Sequence, residues 1–540
     1  MKPIAIGVED FKEIINTNSF YVDKTKGIEE VDKLISEAIL FTRPGKFGKS
    51  LFLSTLNYFY NLENSEENKK LFKGLYIESS SCFKKQGEYP VIYISLKDVI
   101  SDTFIELLNK ISEKLFPLIQ KILTFTSLDS LDNLLLDRII KKDKVTLSTS
   151  LLHLTRIYHR VYNKRVLLLI DDYEAPLIYS LQKGYHQEAF DFFRSFYSSA
   201  LKGNEYLEKG ILTGITHISL TNIFSGLNNL IVYDLTMKNF SHTFGYNQEE
   251  VNSALKEYNI DKNQEEVKKF YESYNFGDSA IYNPWSINNY LKHKMLKSYW
   301  TQTASSSIIN KLLLEADEYI KEKYIKLAKG ESIIYTAINI NKFDLNDLAN
   351  PNKLFNYMLA SGYLNYDSIK GELKVANKDV LNTLPDITEN GLFASNKDYI
   401  NFKKAIRDSD FKLLEPSLKN LLRYIYSYLD FPKNINESNY HVALTTLLAI
   451  SGIGEVKSNL DAELGRFDIA FTSSNPESYS FIMEIKRANS KKEIKKLLDQ
   501  GIKQVKDNNY LNFVKDREKK GIICFCFYKK TVKIKYELIS

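Results

Sequence analysis

Residues 38–62 read as three pieces in direct succession: an apolar strand, AILFTR, a loop, PGKFGKS, and a stretch with helical apolar spacing, LFLSTLNYFYNL. Further strands are predicted at YPVIYISL (89–96), RVLLLIDD (165–172), KGILTG (209–214) and NLIVYDL (229–235), with helical stretches between them. Strands alternating with helices in this way cross over a parallel sheet, so the first half of the chain is expected to be α/β.

From about residue 245 the spacing turns helical, in EEVNSALKEY, NPWSINNYLKH and SSIINKLLLEA, and this middle region extends to roughly residue 395. A charged helical pattern over 396–430, with Pro416 as its one strong breaker, reads as a connector. From Glu437 the order becomes helix (437–450), strands (454–459, 465–471, 479–485), helix (490–507) and strands (521–527, 531–537). The expected domains are therefore 1–244, 245–395, 396–430 and 431–540, as suits a chain of 540 residues, too long for one core.

Apolar runs such as VLLLI and LLAI fall far short of a bilayer span, so no membrane association is expected. The N-terminal MKPIAIGVEDF lacks the apolar core of a secretory signal, which makes a cytoplasmic location the expectation. Cys82, Cys524 and Cys526 have no spacing for a zinc site and read as reduced core thiols. The net charge of +6 is small for this length, so any affinity for nucleic acid has to come from local basic surface.

A phosphate-binding loop needs a glycine-rich turn whose amides wrap phosphate, a Lys for the terminal phosphates and a Ser or Thr for Mg²⁺. Gly48, Lys49 and Ser50 supply the second half of that pattern. Its first glycine falls on Arg43, and Gly45 lies inside the loop. The apolar strand RVLLLIDD delivers Asp171 and Asp172 at its C-terminal end, where open parallel sheets bind ligands. Thr213, ending KGILTG, is a candidate for the terminal phosphate or the attacking water, and Arg194, in FFRSFYSSAL, for neutralising phosphate charge. The plainer alternatives are a helix-start turn at Gly48–Ser50, a strand cap at Asp171–Asp172, a structural Thr213 and a surface Arg194.

Near the C-terminus, GRFDIAF and SFIMEIKR place Asp468, Glu484 and Lys486 on adjoining strands. A bare D…E-x-K is most simply a solvated strand end. Here Asp468 stands between Phe467 and Ile469, and Glu484 between Met483 and Ile485, so both charges sit among residues that favour burial. A shared divalent ion answers both, and period-two alternation puts Lys486 on the face of Glu484. His441 falls one helical turn from Glu437 and reads as structural or substrate-positioning, while Lys457, Ser458 and Arg466 are candidate phosphate contacts or plain surface residues.

The strings IGVEDFKEII, FYVDKT, RPGKFGKSLFLSTL, YPVIYISLKDV, LLIDDYEAPL, FFRSFYSSALKGNEYLEKGILTG, IFSGLNNL, YNPWSINNYL, SGYL, SNLDAELGRFDIAF and IMEIKR run almost end to end along the chain. In them the protein resembles the bacterial AAA-ATPase-like proteins that carry a C-terminal PD-(D/E)XK nuclease domain. The resemblance implies a P-loop NTPase-like parallel sheet, a lid-like helical middle and an α/β restriction-endonuclease-like domain. It implies ATP and Mg²⁺ as cofactors, with Lys49 on phosphate, Ser50 and Asp171 on Mg²⁺, and Asp172 in the place of the water-polarising acid. It adds Gln504, with Tyr510, as support for the second site and Glu437 as an auxiliary acid. Asp171–Asp172 departs from the family's Asp-Glu by one methylene, Glu174 stands where Asp is common, and Gly45 stands where a basic residue is usual, so nucleotide binding is expected ahead of hydrolysis. The implied activity is nucleotide-gated, Mg²⁺-dependent cleavage of nucleic acid, DNA placed ahead of RNA, with a homo-oligomer left open. The rivals are a nucleotide switch that binds nucleic acid or a protein partner without cutting, and a scaffold in which both sites are remnants.

Overall fold

The computed structural model describes the chain except residues 126–127, 217–228, 273, 278, 301–304, 336–349, 368–369, 389–395, 429–436, 459–460, 463–464, 509, 515–517, 530 and 540. It forms two compact units, Met1–Thr303 with Tyr335–Val380, and Ala304–Ile334 with Leu381–Ser540.

The first unit is built on five strands, β1 (Ala38–Thr42), β2 (Val91–Ser95), β3 (Val166–Asp171), β4 (Leu207–Gly214) and β5 (Leu230–Tyr233). They are all parallel, in the order β2-β3-β4-β1-β5. Every residue of β1 and β3 is buried, which is why both read as unbroken apolar runs rather than alternating ones. Because β4 lies between β1 and β3, with Phe41 level with Thr213 and Leu212 level with Ile170, the loop after β1 and the acids after β3 emerge at the same edge.

Gly48 opens helix α1 (Lys49–Tyr60) in the left-handed region, at φ +89°. A Cβ there would meet nothing within 4 Å, so backbone freedom and not space requires glycine. Helix α2 (His186–Leu201) precedes β4. Helix α3 (Pro284–His293) starts with Pro at its first turn behind Asn283, whose side chain accepts from Trp285 N and Ser286 N. Two short antiparallel hairpins, Tyr274–Phe276 with Ser279–Ile281 and Leu364–Asp367 with Glu372–Val375, interrupt the helical middle. Strands of three or four residues are too short to show a period of their own in the sequence.

The second unit is a mixed sheet of β6 (Gly454–Ser458), β7 (Ile469–Ser473), β8 (Ser480–Arg487), β9 (Lys520–Tyr528) and β10 (Thr531–Ile539). The strands run in that order, antiparallel except for the pair β8–β9. One face packs with α4 (Lys397–Asp408), α5 (Phe411–Tyr428) and α6 (Glu437–Ser451) in a core holding Phe402, Leu418, Leu444, Met483, Ile485 and Phe525. The other packs with α7 (Ile494–Asp507) in a core holding Ile482, Leu498, Ile502, Val505 and Cys524. Helices α4 and α5, whose charges suggested a connector, thus bury an apolar face in the core of this sheet; the charges occupy their outer faces. All three cysteines are free and buried, and among the described residues no helix is long and apolar enough to cross a membrane.

Helix α7 sits closest to the sheet at Gly501, where a Cβ would come 2.3 Å from Cys524 Sγ and 3.5 Å from Glu484 Cγ. A Gly501→Ala substitution gains about 1 kcal/mol of helix propensity but overpacks the contact by about 1–3 kcal/mol. A net loss of up to about 2 kcal/mol is expected in chemical denaturation, with partial recovery when Cys524→Ala is added to the same chain. A stable single variant would show that the helix is not seated at this glycine.

Candidate functional site

In the second unit, β7 and β8 pair with Ile469 opposite Met483, so Asp468 and Glu484 are the next residues to face each other at the end of the ladder. Asp468 is held there by Oδ2, which accepts the Ile485 N–H at 2.7 Å, and its carbonyl oxygen lies 3.0 Å from His441 Nε2. Glu484 is only 2% exposed. Its Oε1 accepts from Lys486 Nζ at 2.7 Å, and Nζ also donates to Gln504 Oε1 on α7 at 2.8 Å. Glu437, in the first turn of α6, accepts the Arg487 N–H at 3.1 Å. Glu484, Lys486 and Gln504 are therefore directly bonded, with Asp468 and Glu437 tied to the residues that flank Lys486. Tyr510 lies on the packing side, its hydroxyl accepting from Asn508 and its ring against Phe467. Lys457 is exposed beside Glu455, and the side chains of Ser458 and Arg466 lie outside the described residues.

Burial pushes the Glu484 carboxyl up to about 7, the charge of Asp468 adds to this, and Lys486 pulls back. Burial alone would lower the Lys486 ammonium, but Glu484, Asp468 and Glu437 outweigh it and raise its pKa. Glu484 Oε2 is buried with no hydrogen-bond partner among the described residues. An uncompensated carboxylate oxygen beside a second carboxylate fits a hard divalent cation. Among the described residues no three His, Cys, Asp or Glu side chains cluster as a ready cage. The fit is thus to an ion such as Mg²⁺, which keeps water and substrate oxygens in its shell.

In the first unit, Lys49 is 6% exposed and its Nζ donates to the carbonyls of Arg43 and Pro44, each at 3.1 Å. Ser50 is half-buried in the first turn of α1, and the Gly45 carbonyl lies 3.4 Å from Asn283 Nδ2. Thr213 Oγ1 donates to Asp171 Oδ1 at 2.5 Å across β4 and β3. Asp172 follows in a left-handed conformation, φ +49°, which a short polar side chain tolerates. Burial raises its carboxyl to about 6 against the pull of Lys49.

Two expected residues point elsewhere. Arg43 is fully buried, donates to the carbonyls of Thr42 (2.8 Å) and Tyr233 (2.7 Å), and lies between the rings of Phe244 and Phe276. Arg194 is exposed on α2 without a bonded partner among the described residues.

Glu174 has a larger part than the sequence suggested. Its Oε1 accepts the Ile215 N–H, its Oε2 is buried without a partner among the described residues, and a Cβ at Gly214 would come 2.2 Å from that oxygen. The sequence signal was an acid soon after an apolar strand, matched by a glycine at the end of KGILTG. Burial raises Glu174 to about 8, with the charge of Asp172 adding to the rise. A carboxyl raised above its unfolded value contributes stability below the unfolded pKa and loses it as pH rises through the folded one. Stability should therefore fall between about pH 5 and 8 more steeply in the wild-type chain than in Glu174→Gln, as read by denaturant midpoints. Parallel profiles for the two proteins would remove Glu174 as the titrating group.

Residues 5–224 match the family described as Predicted AAA-ATPase, and residues 435–537 match the PD-(D/E)XK nuclease superfamily. The "Uncharacterized protein in vnfD 5'region" of Azotobacter chroococcum mcd 1 is 24% identical over 371 residues, 68% of this chain. The chain covers 65% of that relative's length. With four of the five parallel strands inside the first match and the Asp468–Glu484–Lys486 cluster inside the second, the chain joins an AAA-ATPase-like region to a C-terminal region like the PD-(D/E)XK nucleases.

Proposed function

We propose that the protein cleaves phosphodiesters in nucleic acid, DNA ahead of RNA, with Mg²⁺, under the control of ATP bound to its N-terminal region. The observation that carries this reading is the buried Glu484 Oε2 beside Asp468, without a partner among the described residues, with Lys486 fixed between Glu484 and Gln504. We assign the nucleotide role to residues 1–244, a lid-like role to 245–395 and the hydrolytic role to 431–540, in a cytoplasmic protein.

Asp468, Glu484 and the Ile485 carbonyl would hold Mg²⁺, which supplies Lewis-acid activation of water and phosphate when bound. Lys486, with its pKa raised, stays protonated at neutral pH. It would therefore orient the attacking water and offset phosphate charge rather than accept a proton. Gln504 keeps Nζ from collapsing wholly onto Glu484, and Glu437 anchors the strand end through Arg487 N–H. At the other site Lys49 would leave the loop carbonyls for phosphate, Ser50 and Asp171 would hold Mg²⁺, and Thr213 would orient Asp171. Asp172 stands for the water-polarising acid; its shorter reach favours a long-lived ATP state over rapid hydrolysis.

Incubating the full chain with ATP, Mg²⁺ and DNA or RNA should give cleavage that EDTA stops. Lys486→Ala should lose at least about a hundredfold in rate and still bind substrate, and Lys49→Ala should remove the ATP dependence. Binding without any cleavage by the wild-type chain would instead establish the non-cutting switch. Separately, Mg²⁺ or Mn²⁺ at ten times its Kd should stabilise the wild-type chain by about 1.4 kcal/mol, and Asp468→Asn should lose that gain. An equal gain in both proteins would place the ion elsewhere.

A further inference from the structure

The phosphate-binding loop carries a second ammonium, Lys46, that the roles above leave unused. Its backbone is left-handed, φ +65°, and its half-buried side chain lays Nζ over the ring of Trp285, 4.0 Å from the centroid. The indole is a fixed platform. Asn283, which also reaches the Gly45 carbonyl, caps the helix at Trp285 N (2.8 Å), and the indole Nε1 donates to the Tyr299 carbonyl at 2.9 Å. The nearby carboxylate, Asp379, is already engaged by Ser286 Oγ (2.5 Å), Tyr299 N (2.8 Å) and Trp300 N (3.1 Å). It acts on Lys46 only through space, against a burial that disfavours the charge. Lys49, by contrast, is tied down by two carbonyls. Among the described residues Lys46 is thus a loop cation held by an aromatic face and a distant carboxylate without a hydrogen bond or ion pair, a weaker hold than a charge-assisted bond to a phosphate oxygen.

We propose that Lys46 is a second polyphosphate-binding residue, resting on Trp285 until a nucleotide di- or triphosphate enters the loop and draws its ammonium onto a phosphate oxygen. This rests on the reading of the loop as a nucleotide site and adds to it a residue that discriminates by phosphate charge. It also makes Trp285 a reporter, because leaving the ring exchanges a cation for solvent or ligand at the indole face.

The chain contains two tryptophans, so Trp300→Phe leaves Trp285 as the sole indole. Full-length Trp300→Phe protein is titrated with MgATP and with adenosine, following indole emission and, in parallel, the heat of binding. An emission change that saturates with the calorimetric ATP isotherm, and is absent with adenosine, is expected. Adding Lys46→Met should weaken ATP binding about tenfold and abolish the emission change, and Lys46→Arg should restore the affinity. Wild-type ATP affinity in Lys46→Met, or an emission change that survives it, overturns the proposal. ATP binding no better than that of Lys49→Ala in the unsubstituted chain overturns instead the nucleotide-site reading beneath it.

Discussion

An ionised carboxylate enclosed by apolar side chains persists only when a cation, a donor or a proton answers it, and the second unit is arranged around that demand at Glu484. Alternation along β8 sends Met483 and Ile485 into one core and Ile482 into the other, which puts Glu484 on the face that α7 covers. The close approach of α7 at Gly501 brings Gln504 to the ammonium that answers one oxygen of Glu484. The other oxygen has no such partner among the described residues, and Asp468, on the paired strand, adds a second negative charge. One ammonium against two carboxylates leaves a local deficit of positive charge. A hydrophobic replacement would suit folding better, and the divalent ion of the proposed reaction would answer the imbalance.

The first unit meets the same demand with graded answers. Asp171 receives a hydroxyl hydrogen bond from Thr213, Asp172 faces the charge of Lys49, and Glu174, as buried as Asp171, is answered by one amide and a proton. The strand order makes this possible, because β4 separates the loop strand from the acid strand by one ladder position and supplies Thr213 and Gly214 between them. Around the loop, Asn283, Trp285 and Gly362 close in on Gly45, Lys46 and Pro44, so a change in the loop is felt by the helical segment next to it. These contacts would give the proposed nucleotide binding a physical route into the rest of the first unit.

Much of this was legible along the chain because it depends on periodicity. Fully apolar β1 and β3 announced a parallel sheet covered on both faces, and the apolar neighbours of Asp468 and Glu484 marked charges set among core residues. What escaped depends on approach between distant residues. Asn283 and Gly45 are 238 positions apart, and Glu174 gains its place from Gly214 and Ile215, about forty residues on. Arg43 looked like a loop residue by position, yet its side chain turns into the aromatic cluster of Phe244 and Phe276. The helices of 396–430 looked like a connector because their charges are plain in the sequence, while the sheet that their apolar faces cover is not.

The sequence by itself determined which of the longer segments are strands and helices, which strand ends carry acids, and that Gly48 must turn where it does, since these follow from local spacing and backbone sterics. Only the tertiary structure decided which charges are answered and which are left over. Desolvation and pairing are properties of the surroundings, and the surroundings of Glu484, Glu174 and Lys46 are assembled from residues far away in the chain.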